Sequence, residues 1–113
     1  MISKELLSEV LGKEIEIGIK SILGESYIEY KIILPSGGKL IRDMNIYELA
    51  YKCKEWAYEN DYYVYSIITF AAEGSCYLTH EDDISKRLKT FDSNNEPEAI
   101  FKACQWIFDN KEG

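Results

Sequence analysis

The chain has 113 residues, 46% of them hydrophobic and 29% charged. That suits one globular domain spanning 1–113 with its own core, and it excludes a disordered segment. Twenty acidic against thirteen basic residues leave a net charge of −7, which disfavours direct binding to a nucleic-acid backbone and favours a partner with a basic surface.

The N-terminal "MISKELLSEVLGK" lacks the continuous apolar stretch of a signal peptide, and no apolar run approaches a membrane span. A cytoplasmic setting without membrane contact is expected. Within this first stretch Ser3 reads as an N-cap for a short helix through Leu11, with Gly12 as its stop. "EIEIGIKSI" then alternates with Ile15, Ile17 and Ile19 on one face, the period of a half-buried strand. After a turn at "LGES", "YIEYKIILP" alternates again and groups Ile28, Tyr30, Ile32 and Leu34. "PSGG" is a second turn, and "KLIR" reads as a third strand.

The clearest helix follows, "NIYELAYKCKEWAYEN". Asn45 with Glu48 fits the capping-box spacing, and Asn60 can end the helix. At about 100° per residue, Ile46, Leu49, Ala50, Cys53, Trp56 and Ala57 share one face, with Trp56 at its margin. "YYVYSIITF" (Tyr62 to Phe70) is rich in aromatic and β-branched residues and reads as a strand. "AAEGS" is a hairpin-length break and "CYLT" the returning strand. "HEDDISKRLKTFDS" gives a charged loop and then an edge strand around Arg87 to Phe91. The last helix is capped by Asn95 with Glu98 three residues on, and Pro97 is tolerated in its first turn. Ile100, Phe101, Ala103, Cys104, Ile107 and Phe108 form its apolar face, opposite Lys102, Gln105 and Asp109, while Trp106 falls on the flank, where it is expected to be half exposed. The order α-βββ-α-ββ(β)-α predicts an α+β fold, antiparallel sheets packed sandwich-like with two long amphipathic helices.

Motifs that would force a chemistry are missing. The three cysteines, Cys53, Cys76 and Cys104, contain no close pair for zinc or dithiol chemistry and read as reduced, small hydrophobes. His80 stands beside Glu81, Asp82 and Asp83, but this run has neither the spacing nor the glycine of a calcium loop and reads as a solvated turn. A Cys76–His80 nucleophile pair is conceivable at hairpin distance, with coincidence the better account. In "PSGGK" the lysine runs into Leu40 and Ile41, a strand and not a phosphate loop's helix. No metal, cofactor or catalytic residue is assigned.

The nine tyrosines carry more information. Tyr47, Tyr51 and Tyr58 lie roughly 100–140° from Ile46 around the helix, with Lys54 among them, Glu55 beside them and Tyr62, Tyr63 and Tyr65 directly after. Either these rings roof a sheet edge, or they form a binding surface, for which tyrosine supplies amphipathic contact area at low entropic cost.

"NIYELAYKCKEWAYENDYYVYS", followed by a hairpin and "EPEAIFKACQW", resembles the small phage and prophage proteins of the phage ABA sandwich domain family over about residues 45–110. The meander from Glu14 to Arg42 is not part of that pattern. The resemblance implies an α/β sandwich of phage or prophage origin and no catalytic residues. With it comes the expectation of a non-enzymatic accessory protein that occupies a host protein's surface, such as an anti-CRISPR or other anti-defence inhibitor. A nucleotide-sequestering protein using Lys39, Arg42, Lys54, Lys86 and Arg87, an enzyme with an unrecognised pocket, and a homodimer formed through an edge strand or the tyrosines are the alternatives.

Overall fold

The computed structural model describes residues 2–22, 27–67 and 74–111, and of 17–22 only the backbone. The expected facing of Ile17 and Ile19, the turn at 23–26 and the end of the expected strand at 68–70 lie outside the described residues. Those described form α1 (Lys4–Leu11), β1 (Ile15–Ile22), β2 (Tyr27–Ile33), β3 (Lys39–Asn45), α2 (Ile46–Glu59), β4 (Tyr62–Ile67), β5 (Gly74–His80), β6 (Lys89–Ser93) and α3 (Glu96–Asn110). This is an α+β fold in the order α-βββ-α-βββ-α. Its two antiparallel sheets run β1-β2-β3 and β4-β5-β6. Helix α1 packs on β1, α2 on α3 and β4, and α3 across β5 and β6. A shortest Cα extent of 17 Å fits two layers.

The helix ends follow local chemistry. Ser3 Oγ accepts from Leu6 N at 3.1 Å and also donates to Gln105 Oε1 at 2.7 Å, so the cap of α1 is tied to α3. Gly12 closes α1 at φ 65°, a left-handed conformation that glycine adopts without a Cβ penalty. Asn95 Oδ1 accepts from Glu98 N at 2.9 Å, as the spacing predicts. Asn45 departs from it: its Oδ1 takes the nearer N–H of Tyr47, at 2.8 Å, and not that of Glu48. Asn60 caps the end of α2, its Nδ2 donating to Trp56 O, and Asp61 turns the chain with a φ of 73°.

The core lies between the helices and the inner sheet faces. Ile46, Leu49, Ala50, Cys53, Trp56 and Ala57 are all buried, and they meet Ala99, Ile100, Phe101, Ala103, Cys104 and Ile107 of α3 with Cys76 and Leu78 of β5. Two expectations need correction. Trp56, read as marginal, is only 6% exposed, because α1 and the end of α3 close over it. Phe108, read as core, is partly buried against Trp56. Trp106 is half-buried, as its flank position predicts. The last strand begins at Lys89, two residues later than expected, in a register that sets Phe91 beside Cys76.

The register of β1 to β2 breaks between Glu16 and Lys20, where β1 carries extra residues against β2. On β2 the expected set is Ile28 and Tyr30 buried, with Ile32 and Leu34 half-buried. "PSGG" is a turn, with Gly37 N donating to Leu34 O and Leu34 N to Gly38 O, both at 2.8 Å.

Thr79 is fully buried, and its Oγ1 has no hydrogen-bond partner among the described residues. A desolvated hydroxyl left unpaired is destabilising, and valine has the same shape without it. Thr79→Val is therefore expected to raise the unfolding free energy by about 1 kcal/mol, as read from urea denaturation.

Candidate binding surface

Helix α2 presents three different flanks. Its core face is turned to α3, which leaves Tyr47, Tyr51 and Tyr58 projecting outward, 57%, 65% and 62% exposed. Lys54, in their midst, is half-buried because its Nζ donates to Ser66 Oγ on β4 at 2.9 Å. That bond fixes the tyrosine flank against the β4 side of the protein. Glu55 is exposed but lines a cleft of about 320 Å³ whose other walls include Val10, Tyr30, Met44 and Trp56. It sits on the flank facing the first sheet, away from Ser66.

Alternation along β4 sorts the remaining tyrosines. Tyr62, Val64 and Ser66 point towards the helices, and Tyr62 makes edge contacts with His80 (5.2 Å between centroids) and Trp106 (6.2 Å). Tyr62 therefore packs on the inner side and does not extend the band. Tyr63 and Tyr65 occupy the outer face, where they do. The rings of Tyr58 and Tyr63 meet edge-on at 5.4 Å, Tyr63 and Tyr65 lie 6.1 Å apart, and Tyr65 stacks on Tyr77 at 5.1 Å. The guanidinium of Arg87 lies 4.1 Å above the Tyr77 ring and ends the row.

Tyr77 and Arg87 escape sequence reasoning as members of this surface. The signal for Tyr77 is its position between Cys76 and Leu78, which alternation sends to the face opposite theirs. Its pairing with Tyr65 then follows from the β4–β5 register. For Arg87, placed by a loop folding back along β5, the sequence carries no signal.

The surroundings of the band are acidic. Glu48 and Glu59 are exposed along α2, and Asp61, Glu81 and Asp82 are exposed where β4 begins and β5 ends. Glu81 N donates to Asp61 O at 2.9 Å, which joins those two ends. Burial against its neighbours raises the pKa of the Tyr63 phenol, helped by Tyr58, by the negative charge of Glu81 and by Tyr65. No shorter-range pairing competes for Glu81: it has no ion-pair partner among the described residues.

The other sequence candidates are placed elsewhere. Cys53, Cys76 and Cys104 are all buried. Cys76 Sγ donates to Ala99 O at 3.2 Å, and burial pushes its pKa up to about 12, so it is held as a thiol away from any nucleophilic role. Cys104, hydrogen-bonded towards Cys53 and desolvated, is also raised well above the usual thiol range. His80 Nδ1 faces Asp82 at 3.4 Å and not Cys76. Among the described residues no group of three or more His, Cys, Asp or Glu is placed to hold a metal ion. Three of the five cations considered for a nucleotide are engaged by separate partners. Lys39 pairs with Glu16 at 2.7 Å, Lys54 is held by Ser66, and Arg87 is stacked on Tyr77.

No family model, curated protein or solved structure matches this chain. Its surface therefore has to be interpreted from its own geometry. Among the described residues, no helix is long and apolar enough to cross a membrane.

Proposed function

We propose that this protein is a non-enzymatic binding module that occupies the surface of a basic host protein, an accessory inhibitor of the anti-defence kind that phage and prophage genomes encode. One observation carries the binding half of this reading. Tyr47, Tyr51 and Tyr58 are each more than half exposed on a helix whose core face is otherwise complete, and Tyr58 connects them to a row of tyrosines across an adjacent sheet. Large amphipathic rings kept in water on α2, in a band continued across β4 and β5, are characteristic of interface cores more than of a solvated helix face. The acidic rim supplies long-range attraction for a positively charged partner. The anti-defence role rests on the helix-face pattern of residues 45–110, which resembles the phage ABA sandwich family.

The test uses a tagged copy expressed in a bacterial host, with its partner recovered and identified. Joint replacement of Tyr47 and Tyr51 by alanine is expected to weaken that complex at least about tenfold while moving stability by no more than about 0.5 kcal/mol, as for exposed positions. The complex should also weaken as salt rises. Binding that survives the double substitution would remove the tyrosine band from the interface. Light scattering of the isolated protein decides the competing occupant: a dimer dissociated by the same substitutions would make the band a self-association surface.

A further inference from the structure

The row of tyrosines is finished at one end and open at the other. At the Tyr77 end, Arg87 covers the ring with its guanidinium at 4.1 Å. At the Tyr58 end, two rings meet edge-on at 5.4 Å, Tyr58 remains 62% exposed, and no cation covers either ring among the described residues. Tyr63 pairs with Thr79, and Glu81 N donates to Asp61 O at 2.9 Å just beyond that pair, so Glu81 stands diagonal to Tyr63 across the two strands; it lacks an ion-pair partner among the described residues. The open corner thus offers what the closed end already uses, an aromatic face for a planar cation, and adds an unpaired carboxylate.

We propose that the corner formed by Tyr58, Tyr63 and Glu81 is a recognition site for an arginine side chain of the partner. This rests on the binding reading above and specifies its chemistry. A guanidinium stacks flat on a phenol ring while its edge N–H groups point outward in a fixed fork, so one group can engage ring and carboxylate together. A lysine ammonium is a compact, strongly hydrated point charge that satisfies Glu81 but gains less from the ring. The corner therefore discriminates between the two cations, whereas the net charge of −7 by itself would attract both.

The experiment compares an arginine nonapeptide with a lysine nonapeptide, titrated into the isotopically labelled protein and followed by NMR. The arginine peptide should bind roughly threefold more tightly, with the largest shifts at Tyr58, Tyr63 and Glu81. Tyr58→Ala should erase the preference for arginine. Glu81→Gln should weaken both peptides and leave the preference in place. Equal affinities for the two peptides, a preference that survives Tyr58→Ala, or shifts centred elsewhere would each overturn the proposal. Failure here while Tyr47 and Tyr51 still govern partner capture removes the arginine site alone. Failure of both removes the binding reading.

Discussion

Gly74→Ala is expected to destabilise the protein by about 3 kcal/mol or more, at the upper end of the range for overpacking substitutions. Gly74 opens β5 and is buried against the start of α3. An added Cβ would fall well under 3.0 Å from the carbonyl carbon and oxygen of Asn95 and the nitrogen of Glu96, all of them backbone atoms. Side chains can relieve a clash by changing rotamer, but a backbone carbonyl at a helix cap cannot. The helix would have to lift from the sheet as a body, and that would loosen the contact of Cys76 with Ala99 and the burial of Ile100 and Phe101. Gly37→Ala is the control. Gly37 has a φ of 91° but open space around the added methyl, so only backbone strain of about 1–2 kcal/mol is expected there. Urea denaturation of both variants gives the comparison, and equal losses would mean that α3 does not seat on Gly74.

Trp56→Ala should cost about 3–5 kcal/mol, the range for removing a buried large aromatic. The indole is 6% exposed and packs against Phe108 with a centroid distance of 6.5 Å. Lys111 Nζ approaches its ring to 5.7 Å and donates to Glu9 Oε2 at 3.0 Å. The Glu9 carboxyl is held below its ordinary range, first by the hydrogen bond from Lys111 and then, after an opposing effect of burial, by one from Trp56. Trp56 therefore joins α1, α2 and the end of α3, and its loss leaves a cavity at the meeting point of three helices. Trp106 is only half-buried and rests edge-on against Tyr62, so Trp106→Ala is expected to cost about 1–2 kcal/mol. The two tryptophans occupy similar positions in the similar strings "AYKCKEW" and "FKACQW", and thermal unfolding of the two variants separates their roles.

That pair shows where sequence reasoning reached its limit. Periodicity finds the helices α2 and α3 and every residue of the α2 core face, because a 3.6-residue repeat acts within one element. It sets both tryptophans at a margin, since a helical wheel ends at the edge of its own helix. What buries Trp56 is α1 and the end of α3, which are distant in sequence. The candidate surface divides in the same way. The outward projection of Tyr47, Tyr51 and Tyr58 is legible from their angles around α2. The separation of Tyr62 from Tyr63 is legible in principle from strand alternation, yet deciding which of them faces outward requires knowing which face the helices cover.

By itself, the sequence determined the α+β class, the order of elements, the caps at Ser3, Asn95 and Asn60, and the flank of α2 that carries the tyrosines. Each of these follows from interactions within a few residues, where hydrogen-bond reach and side-chain period leave few choices. Only the tertiary structure decided that Gly74 must lack a side chain, that Trp56 is enclosed, and that Tyr58, Tyr63, Tyr65, Tyr77 and Arg87 form one row. Those facts depend on the docking of segments tens of residues apart, which is fixed by the packing of whole faces and not by local residue preference.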